Sequence, residues 1–271
     1  MKIKAFLAAG ALLATQSFAI VGIGAHYAPG FGTKMNAMEA PAPVADNVLL
    51  QHQGFDGLMQ GFGFKLWVDL LPIVDIEATL NIQFGSYDAA LYVKNPADGA
   101  VSEIPLEIEL GGTPFGKANP KFVAMTGDFS ITYPITFIPV IRPYIGGGLS
   151  YHLNSFVLNQ KFVSSIIDGA TQEMIAALAE AQASQDPAAV QAAQEKAQML
   201  GETMKQKVQD AAVNEGLNTS IGGHILVGLR AKLPIIPIAA YSNFKYYIGG
   251  DYPDEIDAGN MTVELGIGLA I

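Results

Sequence analysis

Cysteine is absent from the chain, which excludes a disulfide scaffold, thiolate catalysis and a zinc–thiolate site. Charge is scarce, with 15% Asp, Glu, Lys and Arg against 50% apolar residues and a mean hydropathy of +0.30. That is too oily for a disordered polypeptide. Basic residues are the scarcer sign: 15 against 25 acidic, a formal charge of −10, which gives a nucleic-acid partner no electrostatic support. No apolar run after the N-terminal segment reaches the ~18–20 residues of a transmembrane helix. Over 271 residues, what is abundant is glycine (29) and tyrosine (10), as expected of strands joined by many turns.

The first 19 residues read as a secretory signal peptide. Lys2 and Lys4 precede the apolar run Ala5 to Ala14, and Ser17-Phe18-Ala19 supplies the small residues of a cut site. Cleavage there leaves residues 20–271, and loss of the two leader lysines takes the formal charge from −10 to −12.

The remainder shows eight segments of period-two alternation. The last is the plainest: Met261, Val263, Leu265, Ile267, Leu269 and Ile271 alternate with Thr262, Glu264, Gly266, Gly268 and Ala270. In an earlier one, Phe62, Phe64, Leu66, Val68 and Leu70 oppose Gly61, Gly63, Lys65, Trp67 and Asp69. Further segments begin near Val21, Ile76, Val123, Ile141, Ile221 and Ile238; Leu226 breaks the pattern of its own. Short proline-bearing links follow Leu71, Tyr133 and Leu233. Long ones cover 29–60, 86–121, 153–218 and 249–259. Strict alternation of short and long links predicts an eight-stranded up-and-down membrane barrel, with the long loops outside.

The charges say which face meets lipid. The oily face of these segments carries none. The opposite face carries Lys65, Arg142, Arg230, Lys232 and Lys245 against Asp69, Asp75, Glu77, Asp128 and Glu264. An even balance of signs suits an enclosed lumen, where an unpaired charge is expensive. Eight strands leave an interior that side chains fill, so the expectation is a plugged barrel with an internal ion-pair network.

On these alternations and links, the chain resembles the small outer-membrane barrels of Gram-negative bacteria, the class that includes the OmpA transmembrane domain and OmpX. The resemblance covers the strands and turns, about half the chain, and rests on topology rather than a motif. It implies an integral protein of the bacterial outer membrane with lipid as its surroundings. In that class the chain usually ends in an aromatic residue; here the last residue is Ile271.

The third long link is too long to be structureless. Val163, Ile167, Ala170, Met174, Leu178 and Ala181 step by three and four, and Asp186-Pro187 opens a second such stretch through Val190, Ala197, Met204 and Ala211. The expectation is an α-helical hairpin over 159–217, offering a surface to a protein or surface partner. Met174, Met199 and Met204 suit packing better than metal binding.

Other sites are weaker. Asp251, Asp254, Glu255 and Asp257 in the fourth long link are hard oxygen ligands for calcium, without EF-hand spacing. Ser150, His152 and Ser155, with Asp128, are the residues a lipid hydrolase would use, but no G-x-S-x-G is present. Gly146-Gly147-Gly148 precedes no helix and is no nucleotide loop. No cofactor is implied. Three readings stay open: a non-enzymatic barrel with a structural or surface-interaction role through acidic loops, a narrow channel for ions or small solutes, and a lipid-modifying hydrolase. A soluble barrel with an apolar interior is the fourth, should the two faces be exchanged.

Overall fold

The computed structural model describes residues 21–69, 73–94, 99–106, 108–109, 117–135, 140–155, 217–232 and 236–270. Eight long strands form its body: β1 (Val21–Tyr27), β2 (Gln60–Val68), β3 (Asp75–Ser86), β4 (Lys121–Pro134), β5 (Ile141–Ser155), β6 (Leu217–Lys232), β7 (Ile238–Gly249) and β8 (Met261–Ala270). Each pairs antiparallel with the next, and β8 returns to β1 through Gly22↔Ala270 to Tyr27↔Leu265. Closure leaves no open edge, so every strand is hydrogen-bonded on both sides.

The side-chain period of two sorts the residues onto two faces. Ile23, Phe64, Leu66, Phe129, Ile145, Ile225, Leu265 and Ile267 are 49–68% exposed on the outside apart from the protein's own contacts. Lys65, Glu77, Lys245 and Glu264 are 0% exposed on the inside. This polarity inverts that of a soluble barrel, and it is stable only with hydrocarbon against the outer face. Tyr27, Tyr151 and Tyr246 ring that face towards the long-loop end, and Tyr133 stands at the short-turn end. Tyrosine favours these levels because its ring is apolar and its hydroxyl is wet.

The lumen is filled partly by omission. A Cβ on Gly22 would fall 2.0 Å from the Trp67 ring, and one on Gly228 would fall 2.3 Å from the Tyr144 ring. Inward glycines thus make the room that the large rings occupy.

Above the barrel sits a second core, which the sequence reading treated as loops. Strands Ala42–Ala45, Val48–His52, Ala89–Lys94 and Val101–Pro105 form a four-stranded antiparallel sheet. A smaller sheet joins Lys34–Met35, Phe55–Asp56 and Ile256–Asp257. Met35, Val48, Leu50, Met59, Leu91, Val93 and Ile256 pack together in this cap. They close on Phe122 and Ala124, the inward residues at the upper end of β4.

The structure does not bear out the expected helical insertion. No helix occurs among the described residues, and both flanks of the third link are strand, with Leu153 to Ser155 ending β5 and Leu217 opening β6. Pairing Asn154↔Asn218 and Ser155↔Leu217 carries the ladder past the limits set from sequence, where 153–218 was taken as a link. Of the stretch 159–217 expected as a hairpin, Leu217 is strand and the rest lies outside the described residues, as does the signal peptide at 1–19.

Candidate functional site: an ion-paired lumen under an apolar cap

The inward side chains form a continuous polar chain along the barrel axis. At the short-turn end, Arg142 donates to Asp69 (3.1 Å) and Asp75 (3.2 Å). Arg230 donates to the other oxygen of Asp69 (2.8 Å) and to Glu77 (2.5 Å). Its guanidinium lies 4.9 Å from the centre of the Trp67 ring, which forms the floor of the lumen with Tyr241. Glu77 also pairs with Lys65 at 2.7 Å. Lys65 donates to the Tyr144 hydroxyl (2.9 Å), and Tyr144 donates to Asn243.

The middle level centres on Glu264. It accepts from Asn81 (2.9 Å), Asn243 (2.6 Å) and Lys245 (2.7 Å). Lys245 reaches across to Asp128 at the same distance, 2.7 Å. Asp128 also accepts from Ser150 (2.7 Å) and Tyr247 (3.1 Å). Ser150 and Ser130 hold the two ring nitrogens of His224, each at 2.8 Å. With Ser150 donating to Asp128, the His224 Nδ1–H donates to the Ser150 oxygen, and Nε2 meets the Ser130 hydroxyl. His26 is also held at both ring nitrogens: Nε2–H donates to the Asn81 amide oxygen (2.6 Å), and Nδ1 meets the Tyr241 hydroxyl (2.9 Å).

Nine of the ten charged residues singled out from sequence therefore lie in one connected set. Lys232 does not: it is half-buried at the end of β6, with no ion pair among the described residues. The set holds four cations, Lys65, Arg142, Arg230 and Lys245, against five carboxylates. The neutral members, Asn81, Tyr144, Ser150, His224, Tyr241 and Asn243, were less legible. Their signal was their place on the inward face, which does not say which of them meet across the lumen.

The hydrolase set is not assembled. Ser150 bonds His224 rather than His152, is 1% exposed and is already committed to Asp128. His152 faces Thr126 at 3.5 Å and the edge of Tyr247, and Ser155 is at the end of β5. The calcium candidates do not converge either: no group of three or more His, Asp or Glu fit for a metal occurs among the described residues. What this loop offers inward is backbone. The Asp251 carbonyl accepts from Asn154 (3.2 Å), Asn218 (3.2 Å) and Ser220 (3.4 Å).

In the cap, outside the membrane-spanning strands, burial holds the His52 imidazole below its ordinary range and pushes the Tyr252 phenol up. His52 therefore stays neutral within an apolar neighbourhood, with Tyr87 edge-on at 6.0 Å.

A closed meander of eight strands, grease outside and paired ions inside, defines the class: the fold is an eight-stranded transmembrane β-barrel of the outer-membrane type, and the inversion places its outer face against membrane lipid. No protein-family model and no curated protein matches the chain. Among solved structures, the outer membrane protein OprG from Pseudomonas aeruginosa is similar at 9% identity and a TM-score of 0.42, covering 93% of this chain and 96% of that one. Neisserial surface protein A is similar at 12% identity and 0.40, covering 93% and 97%. The attachment invasion locus protein Ail of Yersinia pestis, in complex with a heparin analogue, is similar at 8% and 0.39, covering 92% and 96%. The class assignment rests on closure and inverted polarity, not on these likenesses.

Proposed function

We propose that the protein is a sealed, non-enzymatic outer-membrane barrel whose role is structural and interactive, exercised through a folded cap on the outer surface. The observation that carries this reading is the double closure. The lumen is occupied by an interlocked ion-pair chain, and an apolar core sits on its upper end through Phe122 and Ala124. An ion entering would have to break contacts of 2.5–2.8 Å between groups that are almost wholly buried, while water is kept from their other sides. The cap also gives the loops a fixed shape, as a contact surface needs and a set of solvated tethers lacks.

Planar-bilayer recording of the purified, refolded protein tests the sealed lumen. The expected trace is flat, with rare brief openings. A steady conductance in the unmodified protein overturns the plugged reading and favours the channel.

A further inference from the structure

The outward face of the cap sheet carries a groove of about 280 Å³. One face of the sheet, with Val48, Leu50, Leu91 and Val93, is spent on the apolar core. The alternate positions build the groove. Gln51 stands opposite Ala90, Ala90 opposite Pro105, and Tyr92 opposite Glu103. Ala90 forms a small floor, Tyr92 a half-buried aromatic wall, and Asp88 the end. Asn119 donates to Asp88 at 2.7 Å and holds it in place. Main-chain bonds from Gln53 to Asp88 and from Leu106 to Ala89, both 2.8 Å, fix the strands beneath.

We propose that this groove binds a neutral oligosaccharide. The inference rests on the reading of the cap as the outer surface of the cell. Gln51, Gln53 and Asn119 each present a donor and an acceptor, and Asp88 and Glu103 present acceptors. A sugar hydroxyl both donates and accepts, so it satisfies the amides and the carboxylates together. The apolar C–H face of a pyranose fits against an amphipathic ring such as Tyr92, at little cost in side-chain freedom. Neither lysine nor arginine lines the groove among the described residues, and two carboxylates do, so a sulfated or otherwise anionic glycan is repelled. A basic peptide would pair with the carboxylates, but its cationic heads only donate and cannot themselves accept from the glutamine N–H groups.

The test uses the full chain in nanodiscs, with a panel of neutral hexose and N-acetylhexosamine oligosaccharides, a sulfated panel and an oligolysine peptide. Binding to neutral members is expected, weakened about tenfold by Tyr92→Ala through loss of the stacked face, and weakened also by Gln51→Ala. Both side chains lie on the solvent side of the sheet, and unchanged gel mobility of the folded form confirms that the variants assemble. No neutral binding, binding indifferent to both substitutions, or a preference for the sulfated panel or oligolysine overturns the inference. A separate arm checks its foundation. Val101→Cys, 59% exposed on the cap and the sole thiol in a chain without cysteine, should react with a membrane-impermeant maleimide on intact cells. Failure of that labelling overturns the outward-facing cap; successful labelling with no glycan binding overturns the glycan site alone.

Discussion

Lys245→Met is the sharpest test of the ion-paired lumen. The lysine is 0% exposed and is the one cation touching both Asp128 and Glu264 among the described residues, at 2.7 Å each. Methionine keeps most of the stem and removes the charge. Asp128 then retains Ser150 and Tyr247, and Glu264 retains Asn81 and Asn243, all neutral donors. Removing one partner of a buried pair costs about 3–5 kcal/mol, because the other charge stays behind uncompensated. The exposed pair of Lys34 and Asp56, 3.2 Å apart with side chains 48% and 73% exposed, is the control; Lys34→Met should cost no more than about 1 kcal/mol. Urea titration in detergent micelles, followed by Trp67 emission and by the gel mobility of folded barrel, measures both. The triple variant with Asp128→Asn and Glu264→Gln should recover much of the loss, since an all-neutral network has no orphaned charge. A Lys245→Met cost within about 1 kcal/mol of the Lys34→Met cost refutes the reasoning.

On the lipid side, Leu265→Arg at 52% exposure should lose about 2–4 kcal/mol in vesicle refolding relative to Leu265→Ala, whereas equal yields would place that face outside hydrocarbon. Gly22→Val should cost about 1–3 kcal/mol by overpacking, since its Cβ lands on Trp67, and a Gly22→Val/Trp67→Leu cycle should show strong coupling. The cap should loosen in acid. His52 titrates below its unfolded value of about 6.5, so the unfolded segment binds the proton first and stability declines as pH falls through 6.5 towards the folded value. Protease sensitivity of the cap at pH 7.5 and pH 5 measures this; His52→Gln should flatten the difference, and an unchanged difference would locate the titration elsewhere.

The barrel was legible because its physics is periodic. Phe64 against Lys65, or Leu265 against Glu264, states the two faces outright, and the proline-bearing turns mark where the chain reverses. Even Leu226, which breaks the pattern of β6, sits inside at 3% exposure, where the strand geometry puts it. Partner choice inside the lumen was not legible, because a strand pattern gives height and face but not which residue reaches across. Arg230 takes both Asp69 and Glu77 for reasons of three-dimensional placement alone. The cap was missed for a different reason. Val48, Leu50, Leu91 and Val93 do alternate, but in runs of five or six residues embedded in polar links. Such short strands gain their stability from one another across a long sequence separation, and no local signal reports it. The limits of the third link, read as 153–218, likewise fell short, because β5 and β6 pair on to Ser155 and Leu217.

Surface loops of membrane barrels ordinarily drift in sequence with little consequence below. Phe122 and Ala124 remove that licence here, because the strand that carries Asp128 also carries the seat of the lid. A substitution at Leu50 or Met59, both buried in the cap core, should loosen the packing on Phe122 and Ala124 at the mouth of the lumen. The greasy lid is in this sense the insulation on which the wiring beneath depends, and the two must vary in step.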